Sequence, residues 1–121
     1  MVFYKNKVPL LKRQTDSKRV LIKYPDYIPV IIDRCDELSK ILIKQKYLVP
    51  KDVSCCHLLN IIRNNIKDKD KINNSNKAVF MFCNNILIMP HDNIEYLYQK
   101  YSDKEDGYLY LYLAYESVFG N

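Results

Sequence analysis

Two places in this 121-residue chain carry residue types suited to chemistry. The first is Gly120, one of only two glycines. It follows an apolar run, Tyr108 to Tyr115, and the short stretch Glu116-Ser-Val-Phe119, and only Asn121 comes after it. Glycine has no Cβ and tolerates φ of either sign, so it lets a backbone or a catalytic group approach closely. A strand, a short tail and then a glycine is what a chain needs when its own C-terminus is the reacting group. Taken alone, the placement favours a plainer reading, a frayed end with an incidental glycine.

The second place is Cys55-Cys56-His57, the residue types of a metal site. Adjacent cysteines on a helix point to different faces, and no second Cys/His pair supplies the remaining tetrahedral ligands. Packing and surface thiols account for them better, and no metal or cofactor is expected. Neither His57 nor His91 has a nucleophile arranged beside it, so no catalytic residue is assigned and no enzyme is expected.

The elements that would position these residues follow from periodicity. Residues 1–22 read as one or two short surface helices broken near Pro9. Residues 27–34 are an apolar, β-branched run suited to a strand, with Pro29 marking an edge or bulge. Lys46 to Pro50 forms a second strand paired with the first as a hairpin, and 35–45 is the connecting loop. Over 52–67, Leu58, Leu59, Ile62 and Ile66 recur at helical spacing, with Asp52 as N-cap. A polar loop of alternating charge (67–77) leads to a strand over 78–83 and a turn at Asn84-Asn85. A short helix over 92–101 precedes a final strand opened by Gly107, whose continuous apolar character places it centrally in its sheet. Strand, strand, helix, strand, short helix, strand is the order of the β-grasp fold, in which the last strand lies beside the first. The class is α+β, with a four-stranded mixed sheet. One domain divides into an N-terminal helical extension (1–22), a ubiquitin-like core (23–115) and a flexible tail (116–121).

Composition bounds the rest. With 48% apolar residues the chain has enough material for a core, and no apolar stretch reaches the roughly 18 residues of a membrane span. The N-terminus lacks the long apolar segment of a secretory signal. Four cysteines without CxxC spacing fit a reduced, cytoplasmic protein. A net charge of +5 fits acidic peptides, anionic membranes or nucleic acid without choosing among them. The eleven tyrosines lack the arginine-rich surround of a base-stacking surface, so no nucleic-acid partner is expected. A monomer in solution is expected.

Four ordered stretches carry a more specific likeness: Lys23-Tyr-Pro-Asp-Tyr-Ile-Pro-Val-Ile-Ile32, Lys46-Tyr-Leu-Val-Pro-Lys-Asp52, Phe82-Cys-Asn-Asn85, and Glu105-Asp-Gly-Tyr-Leu-Tyr110 with Glu116-Ser-Val-Phe-Gly120. Together they resemble the autophagy-related protein 8 family of ubiquitin-like modifiers. That family includes the GABA-receptor-associated protein and microtubule-associated protein light chain three. The likeness covers essentially the whole chain, including a two-helix N-terminal extension.

The resemblance implies that a processing cysteine protease removes Asn121 after Gly120. Activating and conjugating enzymes then join the Gly120 carboxyl to phosphatidylethanolamine, so the protein is cytoplasmic before lipidation and anchored on autophagosomal or related membranes afterwards. It also implies capture of aromatic-x-x-aliphatic peptides from cargo receptors along the Lys46–Pro50 edge. The aromatic pocket would be lined by Asp16, Val20, Pro29, Ile31, Lys46, Leu48 and Tyr108. The aliphatic pocket would use Tyr47, Val49, Pro50, Val53, Leu58 and Ile61, and Lys44 and Lys46 would meet acidic residues flanking the motif. A secondary interaction face would fall on Phe80 and Phe82. The chain departs from the family pattern at Tyr27, where arginine is usual, at Leu58 in place of phenylalanine, at Asn65 in place of a basic residue, and at Ile88-Met89 in place of paired prolines.

Overall fold

The computed structural model describes residues 3–42, 44–66 and 78–115. Gly120 and Asn121, the tail 116–121 and the polar loop 67–77 lie outside the described residues. The elements are α1 (Tyr4–Lys7), α2 (Leu10–Lys23), β1 (Tyr27–Arg34), α3 (Asp36–Ser39), β2 (Lys46–Pro50), α4 (Cys55–Arg63), β3 (Val79–Cys83), β4 (Ile86–Leu87), α5 (Ile94–Tyr101) and β5 (Leu109–Tyr115). Pro9 separates the first two helices as its fixed φ and missing N–H require.

The sheet runs β2-β1-β5-β3-β4, with β1 and β5 parallel and the remaining pairs antiparallel. It has five strands rather than four. Asn84 and Asn85 both take positive φ, 54° and 67°, and so form a tight hairpin turn that returns the chain as the two-residue β4. The expected central position of the last strand holds, with β5 between β1 and β3.

Three local expectations are corrected. The 35–45 connection contains the one-turn helix α3. The α4 N-cap is Ser54, whose Oγ accepts from the His57 N–H at 3.2 Å, and not Asp52. The start is delayed because Val53 is buried and the Val53 carbonyl accepts from Ile94 N at 3.1 Å, tying this turn to α5. Pro29 marks no bulge, and its strand is interior to the sheet rather than an edge, although Pro29 itself is paired only with Leu48 of β2. It lies one residue before the β1–β5 register begins at Val30↔Leu109, so its missing N–H takes no bond from that ladder.

Alternation along the strands sends side chains to two cores. On one face Ile28, Val30, Ile32, Leu109, Leu111 and Leu113 pack with Leu58 and Ile62 of α4 and Ile94 and Leu97 of α5. On the other, Ile31 and Tyr108 pack under Tyr4 of α1. Helix α2 is clamped to this second face by Asp106. Its Oδ2 accepts from Arg13 NH1 at 2.6 Å and from the Tyr110 hydroxyl at 2.5 Å, and its Oδ1 accepts from Tyr108 N at 2.9 Å. Ser17 Oγ donates to the Asp106 carbonyl.

Candidate functional site

The strand β2 is an edge of the sheet. Ile32 N donates to Gln45 O at 2.8 Å, and Lys51 N donates to Asp26 O at 3.1 Å. Given the register Val30↔Tyr47 and Ile28↔Val49, antiparallel alternation turns the backbone groups of Tyr47 and Val49 toward β1. The N–H and C=O groups of Lys46 and Leu48 therefore face outward. Pro50 ends the strand without an N–H, and its carbonyl accepts from Val53 N at 3.3 Å. An incoming extended chain thus meets two donors two residues apart, the repeat of a strand.

Side chains divide across this edge. Lys46 and Leu48 are exposed on the α2 side, in register with Ile31 and Pro29, while Tyr47 and Val49 are buried on the α4 side. The seven residues of the expected aromatic pocket are gathered on the α2 side. Ile31 and Tyr108 are fully buried and Pro29 is buried beneath Leu48, leaving Val20, Lys46 and Leu48 toward solvent. Asp16 holds the helix side of this space. Its carboxylate lies 3.2 Å from Lys12 Nζ, 3.8 Å from Arg19 NH2 and 4.0 Å from Lys46 Nζ. One carboxylate facing three cations leaves the edge locally positive.

Five of the six residues of the expected aliphatic pocket, Tyr47, Val49, Val53, Leu58 and Ile61, belong to the core on the opposite face, while Pro50 ends the strand in alternation with Lys46 and Leu48. Tyr47, Val49, Val53 and Leu58 are all buried, and only Pro50 and Ile61 are partly accessible. The Tyr47 hydroxyl is buried without a hydrogen-bond partner among the described residues, and burial pushes its pKa up to about 12. Lys44 Nζ stands 4.8 Å from the Tyr47 ring centroid, covering the outer end of this seam with positive charge. Phe80 and Phe82 are both half-buried on β3 but border different cavities. Phe80 lines an apolar space of about 260 Å³ with Leu59, Leu87 and Met89. Phe82 lines a larger one of about 610 Å³ under α1.

That larger cavity is the feature missed from sequence. Its floor is Asp33, Tyr110, Tyr112 and Phe82, and its rims carry Lys5 and Asp103. The signal was Asp33 itself, an acid inside the β-branched run 27–34. Cys55 is buried and Cys56 exposed, and no group of three or more metal-ligating residues occurs among the described residues. All four cysteines are free.

Comparison with known proteins agrees with this architecture. The family model described as "Autophagy protein Atg8 ubiquitin like" matches residues 12–120. Autophagy-related protein 8d of Arabidopsis thaliana is 36% identical over 118 residues, spanning 97% of this chain and 93% of the plant protein. Autophagy-related protein 8 of Mycosarcoma maydis is 35% identical over 118 residues, spanning 97% of this chain and 95% of the fungal one. Among solved structures, Trypanosoma brucei ATG8 superimposes with a TM-score of 0.78 at 26% identity, covering 96% of each chain. Plasmodium falciparum Atg8, solved in complex with a Plasmodium falciparum Atg3 peptide, gives 0.74 at 29% identity, covering 93% of this chain and 95% of that one. With its sheet order, its helical extension and a full-length match in agreement, the chain belongs to the Atg8 family of ubiquitin-like autophagy proteins, which are modifiers and adaptors rather than enzymes.

Proposed function

We propose that this protein is an autophagy modifier that captures aromatic-x-x-aliphatic peptides on the β2 edge and is itself joined to phosphatidylethanolamine through Gly120. The observation that carries the peptide reading is the free edge at Lys46 and Leu48, with outward backbone groups beside a cationic rim of Lys12, Arg19 and Lys44. An unpaired edge is an aggregation hazard unless it is short, charged or used, and Lys46 supplies the charge. The aromatic side chain of the peptide lies over Leu48 and Pro29 on the α2 side. The aliphatic one enters at Pro50 and Ile61 and widens the seam over Leu58. Acidic residues flanking the motif meet Lys44 and Lys46, so affinity falls with salt. Phe80 and Phe82 form a secondary face.

Conjugation rests on family membership and on the residue pattern at the end of the chain. Asn121 is removed by a cysteine protease, and the Gly120 carboxyl is activated and passed through the conjugating enzymes to the lipid. The conjugating-enzyme step is supported by the Plasmodium neighbour solved with an Atg3 peptide. The protein is cytoplasmic before this step and membrane-anchored after it.

Titration calorimetry with an acidic aromatic-x-x-aliphatic peptide tests the edge. Leu48→Ala and Lys46→Glu should each weaken binding about tenfold without lowering the melting temperature, and unchanged affinity in both rules out the groove. Mass spectrometry of the cellular protein tests conjugation. Loss of Asn121 with a phospholipid adduct, both abolished by Gly120→Ala, is the expected result; a species retaining Asn121 leaves an unconjugated adaptor.

A further inference from the structure

The cavity of about 610 Å³ under α1 lies on the opposite side of β1 from the β2 edge, and its chemistry is different. Its floor is aromatic, from Tyr110, Tyr112 and Phe82, and it is bordered by two carboxylates, Asp33 and Asp103. Asp33 is 7% exposed. Both of its hydrogen bonds, from Tyr4 N at 3.1 Å and Gln45 Nε2 at 2.7 Å, end on Oδ1, and Oδ2 makes none among the described residues. Asp33 lines the cavity, and although the charges of Arg34 and Lys5 act on its carboxylate, no ion pair reaches it among the described residues, so a guest cation can supply one.

A cation is already there in part. Lys5 reaches in from α1, pairs with Asp103, and holds its ammonium 4.9 Å from the Tyr110 ring centroid. An ammonium between a carboxylate and an aromatic face is the way such sites hold quaternary and basic groups. Lys5 nevertheless remains 45% exposed at the side chain, so it sits at the mouth and leaves the Asp33 end of the cavity to a guest.

We propose that this cavity is a second recognition site, one that takes an arginine or lysine side chain from a partner peptide, with Lys5 as its built-in competitor. The guest's charged head pairs with Asp33 Oδ2, its stem lies against Tyr112 and Phe82, and it draws Asp103 away from Lys5. A peptide is favoured over a free amine because the volume leaves room for a stem and adjoining backbone beside one charged head. The arrangement makes the protein double-sided, with an acidic-peptide edge at β2 and a basic-peptide cavity beneath α1. This inference stands independently of the edge reading, since the two share no side chain.

The protein is titrated with an N-acetylated, C-amidated glycine-serine hexapeptide carrying one arginine, with the matching citrulline peptide and with spermidine, and followed by backbone amide chemical shifts. Saturable shifts at Asp33, Asp103 and Tyr112 with the arginine peptide alone are expected. Lys5→Gln should tighten that binding at least threefold, and Asp33→Asn should weaken it at least tenfold while keeping the Oδ1 acceptor and the melting temperature. Absence of saturable shifts in both the native chain and Lys5→Gln overturns the proposal, as does equal binding of the citrulline peptide. Weaker binding in Lys5→Gln overturns the competitor role, and tighter binding of spermidine than of the arginine peptide overturns the choice of a peptide.

Discussion

Arg13 NH1 lies 2.6 Å from Asp106 Oδ2, with the two side chains 10% and 0% exposed. This pair fastens the N-terminal helix α2 to the approach of the central strand β5. A buried pair adds little when intact, yet breaking it strands a charge in the interior. Asp106→Ala should lower stability by about 3–5 kcal/mol, with Tyr108 N and the Tyr110 hydroxyl losing their acceptor as well. Asp106→Asn, which keeps an oxygen for Tyr108 N, should cost less. Urea denaturation of Asp106→Ala, Arg13→Ala and the double variant checks this, and the double should lose less than the sum of the singles.

Gly107 holds the neighbouring turn at φ +82°. A Cβ there would meet Ser17 Oγ at 3.2 Å, and Ser17 is already committed to the Asp106 carbonyl. Left-handed backbone and a tight contact act together, so Gly107→Ala should destabilise by about 2 kcal/mol or more. A shift in denaturation midpoint with unchanged slope is the expected readout.

Burial pushes the Cys55 thiol up to about 12 and the Cys83 thiol up to about 11. Thiolates are the reactive form, so both should resist iodoacetamide in the native state near pH 8, while exposed Cys56 is alkylated first. Peptide mapping before and after adding denaturant measures the order. Because both values are raised, the native state holds protons that the unfolded chain releases. The associated stability is complete below an unfolded thiol pKa of about 8.5 and is lost as pH rises toward 11–12.

The Tyr47 hydroxyl has no partner among the described residues, so Tyr47→Phe removes a buried polar group at no cost in shape. Stability should stay level or rise by about 1 kcal/mol at pH 7. Tyr47 also titrates up at about 12 against roughly 10 when unfolded, so the native protein loses stability across that interval. The loss should be shallower in Tyr47→Phe, as alkaline melting curves would reveal.

Much of this architecture was legible in the residues. The bounds of β1 and β2 followed from a β-branched run and a terminal proline, and the centrality of β5 from an apolar run with no polar face. Elements held by distant partners were not. The start of α4 depends on hydrogen bonds from Ile94 N to Val53 O and from Cys55 N to Asp92 O, which no local pattern announces. β4 is two residues long and exists because Asn84 and Asn85 both accept positive φ. At the candidate site, the sequence named residues for two pockets but carried no information on which of them would be buried. Tyr47 and Val49 alternate with Lys46 and Leu48 along β2, and only the register with β1 reveals which pair faces the interior. Asp33 drew no reading of its own within the 27–34 run, because the cavity it lines exists only once α1 is folded over the sheet.

The parallel ladder between β1 and β5, which pairs Ile31 with Tyr110, sets the order in which the protein can be made. During synthesis β1 and β2 emerge early and can close their hairpin, but the inner side of β1 has no neighbour until β5 arrives. β3 likewise waits for β5, to which it is paired from Val79↔Tyr115 to Phe82↔Tyr112. The nascent chain therefore carries two unfinished strand edges until β5 has been translated. Such late, long-range closure makes folding slow and leaves apolar strands open to wrong partners. A chain cut short before Leu109 would lack not a peripheral strand but the keystone of its sheet, and the quality-control machinery of the cell should treat it as unfolded.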